Sequence, residues 1–186
     1  MHFRSTPIEG VWLIEPERIE DDRGFFARAW CRKELSDHGI DVDMVQGNVG
    51  YSHARGTLRG MHWQEDPFGE VKLVRCTRGA VFDVVVDARP HSETFLSWYG
   101  AELTADGGTM MLVPQGCAHG YQTLEDRSEI FYLTSQFYES SAATGALYND
   151  PSVGIEWPTE VTVISDQDRA WPPLSERRPD ASRRHR

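Results

Sequence analysis

Lysine is nearly missing from this chain of 186 residues: of nineteen basic residues, only Lys33 and Lys72 are lysines. Positive charge as a whole is short, since 19 basic against 29 acidic residues leaves a net charge of −10. That balance argues against a general nucleic-acid or anionic-membrane surface. Cysteine is sparse too. Cys31, Cys76 and Cys117 give an odd count with no Cys-x-x-Cys pair, which excludes a disulfide framework and suits buried free thiols in a reducing compartment. No run approaches the roughly 18 apolar residues of a membrane span. No apolar segment follows Met1-His-Phe-Arg4, so no secretory leader is read and a cytoplasmic protein is expected. Nowhere does a His-x-His pair occur, and long helical periodicity is absent as well.

What remains is mostly strand. Residues 8–15 and 25–30 read as strands around the turn Asp21-Asp-Arg-Gly24, and 42–49 is extended. Cys31 to His38 is the best helical stretch, ended by Gly39. From residue 57 to 138, strand-like runs recur between turn signals: 58–63, 71–76, 80–87, 95–103, 109–113, 119–124 and 129–135. Many strands at this spacing without alternating helices predict an antiparallel sandwich or barrel. With 39% apolar residues the chain can bury a core, and its length suits one domain. After Tyr138 it becomes loop-rich. The expected domain runs over 1–172, and the tail 173–186, with five arginines, reads as a mobile end whose charge serves solvation.

The chemistry concentrates between residues 59 and 76. Arg59-Gly-Met-His-Trp-Gln64 and Glu70-Val-Lys-Leu-Val-Arg-Cys76 bring one imidazole, two guanidiniums and one of the two ammoniums together in an acidic chain. Strand alternation would aim Arg59 and His62 at opposite faces, but Gly60 permits a bulge that turns both inward. A titratable base beside fixed positive charge suits proton abstraction from a carbon acid bearing an anionic group. A lone strand histidine is more often a packed residue than a base. Against that, burying Arg59, Lys72 and His62 together is costly without an anionic partner. Asp83 and Asp87 share one face of an apolar strand and either serve the site or face solvent.

Gly108-x5-Pro114-x-Gly116-x2-His119 matches the second cupin motif up to the histidine, although the Asn expected beyond it is missing, since position 123 is Thr. The expected fold is therefore all-β: a cupin-type antiparallel jelly roll with one or two short peripheral helices. The first cupin motif, with its His-x-His metal ligands, is not present. A three-histidine metal site would have to draw on scattered His53, His62, His91 and His119, and no catalytic metal is expected.

Beyond these motifs the chain resembles the dTDP-4-dehydrorhamnose 3,5-epimerase family of nucleotide-sugar epimerases. The matching segments are Asp22-Arg-Gly-Phe-Phe26, Val45-Gln-Gly-Asn48, Leu58 to Gln64, Val71 to Cys76 and Gly79 to Asp87. They continue with Pro114 to Gly120, Phe131 to Ser135, Tyr148-Asn-Asp-Pro151, Gly154 to Pro158 and Ser165-Asp-Gln-Asp168, in family order over about residues 8–173. The resemblance implies a metal-free, cofactor-free homodimer acting on a nucleoside-diphosphate 4-keto-6-deoxyhexose. It implies His62 as the base, Asp168 as its orienting partner, Tyr132 as the opposite-face acid, and Lys72 and Arg59 as positive charge for the enolate and diphosphate. His119 is a contributor behind the same pocket. Arg23, Gln46 and Asn48 are implied for the nucleotide-binding surface, partly across the dimer, with Tyr138 stacking on the base. Tyr138 and Trp157 are equally readable as packing residues.

Two positions depart from the family pattern. Leu133 replaces a frequent Lys after the tyrosine, on the opposite face of its strand. Arg28 stands where Glu is usual, and an Arg suits a base edge that offers acceptors rather than the N3–H of thymine. The nucleotide therefore stays open, with dTDP as the family default. A C3-only epimerase shares the same residues, and a metal-dependent cupin or a non-catalytic sugar-nucleotide-binding module are the rival classes.

Overall fold

Period-two alternation in the sequence becomes strand, and strand is the dominant regular structure of the described residues. The computed structural model describes residues 1–177. The strands are β1 (His2–Ser5), β2 (Trp12–Glu15), β3 (Arg18–Asp21), β4 (Gly24–Ala27), β5 (Gln46–Ser52), β6 (Leu58–Gln64) and β7 (Lys72–Arg78). They continue with β8 (Ala80–Asp87), β9 (Trp98–Thr104), β10 (Met110–Val113), β11 (Cys117–Thr123), β12 (Ser128–Thr134) and β13 (Ala143–Gly145). One-turn helices α1 (Arg32–Ser36) and α2 (Asp166–Ala170) and a 3-10 turn at Leu174–Arg177 complete the described elements.

Two antiparallel sheets stack as a jelly roll, as the strand spacing predicts. One has the order β1-β2-β10-β7-β12-β5, the other β13-β6-β11-β8-β9. Alternate residues point between them: Leu13, Val74, Met111 and Ile130 from the first sheet meet Val81, Val85, Leu103 and Tyr121 from the second. The intervening residues face outward and are covered in turn. Leu35 of α1 packs with Ile14, Leu73, Met110 and Leu112, while Ala146 and Leu174 cover Met61, Trp63, Val84, Val86 and Ala118. Each fully buried aliphatic side chain contributes about 1.5–3 kcal/mol, so both outer layers are part of the stable body.

Several boundaries move. Gly10, at φ +81°, breaks the run read as one strand over 8–15, so β2 starts at Trp12 and pairs with β1. The strand from Phe25 stops at Ala27 because β4 pairs only with β3, across the expected Asp21–Gly24 turn. Packing also continues past residue 173. Leu174 is buried and its N–H donates to Asp150 Oδ2 at 2.6 Å. The remainder of the expected tail, from residue 178, lies outside the described residues. Among those described, no helix is long and apolar enough to cross a membrane.

Candidate active site

At one end of the barrel the inward-facing row turns polar. Gln46 and Asn48 of β5, His62 of β6, Lys72 of β7, His119 of β11, and Tyr132 and Thr134 of β12 all occupy inward positions there. They line a cleft with two lobes of about 460 and 620 Å³, which share His62, Lys72, Tyr132 and Gln167. Gln46, Asn48, Glu70, Tyr138, Thr144 and Trp171 belong to the first lobe. Arg59, His119, Tyr121 and Asp168 belong to the second.

The bulge anticipated at Gly60 is what brings Arg59 and His62 to one wall. Along β11 the pairing advances two residues, from His119 to Tyr121, while along β6 it advances three, from His62 to Arg59. Gly60 sits at φ +140°, and a Cβ on it would come within 2.5 Å of the Gly120 Cα. Two glycines therefore let the strands approach closely enough for the extra residue.

His62 Nε2 lies 2.6 Å from Asp168 Oδ1, and the Gly60 N–H donates to Asp168 Oδ2 at 3.3 Å. Asp168 is itself positioned by α2, where Ser165 caps the helix by accepting from the Asp168 N–H. This Ser-x-x-Asp pattern is a helix-start signal, but a helix of a single turn is too short to show helical periodicity in the sequence. Burial pushes the Asp168 carboxyl up, but the hydrogen bonds from His62, Gly60 and Ser165 outweigh it and hold the group below its ordinary range. An ionised carboxylate accepting the Nε2–H leaves the Nδ1 lone pair as the basic position.

Tyr132 approaches from the other sheet. Burial is the main cause that raises its phenol, the charge of Glu70 adds to the rise, and Arg59 opposes it. Lys72 donates to the His62 carbonyl oxygen at 3.2 Å and pairs with Glu70 at 3.1 Å. Arg59 donates to the Tyr51 carbonyl oxygen at 3.1 Å and lines the cleft beside His62. Behind them a second pair forms, His119 Nε2 to Asp83 Oδ1 at 2.8 Å, with Asp83 fully buried. Asp83 thus points into the barrel. Asp87 is also buried, but it braces the 88–97 loop by accepting from Arg89, Ser92 and Thr94. Neither carboxylate faces solvent.

Gln46 and Asn48 are joined by a 3.1 Å hydrogen bond, and the Gln46 side chain accepts from the Tyr138 N–H. Tyr138 is mostly exposed at the rim, whereas Trp157 packs edge-on to Phe82 and donates to the Tyr148 carbonyl oxygen. Arg23 and Arg28 lie outside this cleft. They belong to the β3–β4 ribbon, which joins neither large sheet, and they pair with Asp21 and Glu34. Among the described residues, no group of three or more His, Cys, Asp or Glu side chains is arranged to hold a metal ion. Glu70, Thr144, Gln167 and Trp171 line the cleft without being candidates from the sequence; of these only Glu70 carries a sequence signal, its place two residues before the lysine.

Comparison with known proteins places the chain in a family. The family model described as dTDP-4-dehydrorhamnose 3,5-epimerase matches residues 5–176. The chain is 42% identical over 177 residues to dTDP-4-dehydrorhamnose 3,5-epimerase of Sinorhizobium fredii, covering 95% of this chain and 91% of that one. A crystal structure of dTDP-4-dehydrorhamnose 3,5-epimerase from Bacillus anthracis with TDP and PPi bound superposes with a TM-score of 0.89. It is 38% identical and covers 92% of this chain and 98% of its own. A 3′-monoepimerase from Streptomyces bikiniensis in complex with dTDP-quinovose gives a TM-score of 0.85 at 35% identity, covering 91% of this chain and 86% of its own. By family model, sequence and fold alike, the chain belongs to the dTDP-4-dehydrorhamnose 3,5-epimerase family, and it is an isomerase.

Proposed function

We propose that this cleft inverts C3, C5 or both in a nucleoside-diphosphate 4-keto-6-deoxyhexose of the dTDP-4-dehydro-6-deoxyglucose type. The C4 carbonyl acidifies the hydrogens on its neighbouring carbons. His62 Nδ1 removes one of them, and the Asp168 carboxylate stabilises the imidazolium that results. The electron pair moves onto the C4 oxygen, where the Lys72 ammonium meets the enolate charge, with Arg59 adding positive charge on the same wall. Tyr132 then returns a proton to the opposite face of the same carbon, and solvent restores both groups.

One observation carries the reading: the Asp168-backed His62 stands on the five-stranded sheet and Tyr132 on the six-stranded sheet, as facing walls of one cleft. Proton removal and return from opposite faces need such an opposed pair. Gln46, Asn48 and Tyr138 line the adjoining lobe and suit the nucleotide. The relatives' bound TDP and dTDP-quinovose favour dTDP, and no cofactor is invoked.

The working unit is proposed to be a homodimer in the cytoplasm. Ile19, Phe25 and Phe26 of the β3–β4 ribbon are exposed, as is Val49 on edge strand β5, and a second copy would cover them. The same ribbon of a second copy would carry its Arg23 and Arg28 toward the nucleotide. Three free cysteines are compatible with a reducing compartment.

Incubation with dTDP-4-dehydro-6-deoxyglucose in D₂O, followed by proton NMR, tests the chemistry. Deuterium should enter at C3, C5 or both, with inverted product, and His62→Ala should abolish both. Tyr132→Phe should retain part of the exchange while inverted product falls by about 10²-fold or more, the range of a lost acid. Equal loss of exchange and inversion in Tyr132→Phe would remove Tyr132 as the acid. A His62→Ala variant that still turned over would leave the proposal without its base.

A further inference from the structure

One charged side chain of the cleft takes no part in these proton transfers. Glu70 Oε1 lies 3.1 Å from Lys72 Nζ, and Glu70 Oε2 accepts from Gln64 Nε2 at 3.2 Å. Gln64 is itself buried and pinned. Its Nε2 also lies within hydrogen-bond reach of the carbonyl oxygens of Phe68 and Phe137, so that its two N–H groups are shared among three acceptors, and its Oε1 accepts the Glu139 N–H at 2.6 Å. The Lys72 and Glu70 side chains are only 9% and 10% exposed. The other contact of the ammonium is the carbonyl oxygen of His62, the proposed base. A flexible four-carbon side chain is thus clamped between a fixed carboxylate and the main chain of β6, in the wall that Tyr132 also lines.

We infer that Glu70 is a positioning residue of the reaction, holding the Lys72 ammonium at the His62 carbonyl, so that the enolate oxygen meets a clamped ion pair rather than a free lysine. Two consequences follow from the geometry. A nine-tenths-buried ammonium without its carboxylate would be costly and would leave its present place for water. The carboxylate also puts a negative charge near the Tyr132 phenol, whose ionisation burial and Glu70 both oppose. The group that must deliver a proton is thereby kept protonated.

Because Glu70 acts through Lys72, the inference rests on the epimerase reading of the cleft, so the test needs one readout that does not. Glu70→Gln keeps an acceptor for Lys72 but removes the charge; Glu70→Ala removes both. Glu70→Gln should lower kcat about tenfold with KM changed less than about threefold, and the alkaline limb of kcat/KM should move down by about one pH unit. Glu70→Ala should lose about a hundredfold, and Glu70→Asp should restore part of the alkaline limb. Without substrate, phenolate absorbance in the parent minus that in its Tyr132→Phe variant follows Tyr132 alone. In a Glu70→Gln background that midpoint should fall by the same one unit or so.

Wild-type kcat and an unmoved alkaline limb in both Glu70→Gln and Glu70→Ala would overturn the inference. So would losses that track thermal stability alone while the phenol midpoint stays put. If the parent turned over no 4-keto sugar, the epimerase reading would fall, and an unmoved phenol midpoint would then dispose of the role of Glu70 as well.

Discussion

At the residue scale, the site separates groups by environment more than by type. Two His–Asp pairs stand about one strand apart, but they differ in access. The His62 side chain is 43% exposed in the cleft while that of His119 is 8% exposed. An imidazole that must reach a ring hydrogen has to be the accessible one, which is why the proposal gives the role of base to His62 and leaves His119 in the wall. Asp168 matters through charge and orientation together. Asp168→Asn keeps the shape but offers an amide whose oxygen no longer holds the imidazolium, and turnover should fall by about 10²–10⁴-fold with little change in KM. Steady-state rates at saturating substrate check this; a loss under threefold would mean that His62 needs no carboxylate.

At the element scale, the loops and bulges place the chemistry, and each rests on a few atoms. Gly60→Ala would add a Cβ into the Gly120 backbone at an unfavourable φ, a cost of about 1–3 kcal/mol. Relief requires straightening the bulge, which would turn Arg59 or His62 out of the cleft. The expected outcome is a lower Tm and loss of deuterium exchange, read by calorimetry and NMR on the same sample. The 88–97 loop hangs on Asp87. Burial opposes its ionisation, but the hydrogen bonds from Arg89, Ser92 and Thr94 prevail and lower its pKa from 3.8 to about 2. A carboxyl depressed in the folded state contributes stability that is present above the unfolded value near 3.8 and is lost as pH falls through about 2. That difference corresponds to about 2 kcal/mol. Asp87→Asn should lower unfolding stability at pH 7 by about that amount and flatten its decline between pH 4 and 2, as urea titrations at several pH values would report.

For the whole molecule, the β3–β4 ribbon is the element least explained by a single chain. It pairs with neither large sheet, and Phe26 is 70% exposed on it. Sedimentation should give twice the mass of the chain. Charged substitutions at Phe25 and Phe26 should yield monomer with nucleotide affinity reduced at least about tenfold. A monomeric parent would end the proposal that Arg23 and Arg28 reach the nucleotide from a second copy.

Much was legible in the residues alone, because strand alternation and turn chemistry are local. Leu58 to Gln64, Val71 to Cys76 and Ala80 to Asp87 could be read as strands with an inner and an outer face, and Gly60 could be read as a bulge, since φ and Cβ sterics act on one residue at a time. The resemblance supplied Asp168 and Tyr132, which no spacing links to His62, 106 and 70 positions away. Tertiary structure decided what depends on distant pieces meeting. It folded β13 onto β6, set Asp83 against His119 rather than solvent, locked Glu70 onto Lys72, and carried packing past the double proline to Leu174. Backbone preference is written in each residue and its neighbours, whereas desolvation and pairing of charge depend on which strands close over it, and only the assembled barrel specifies that.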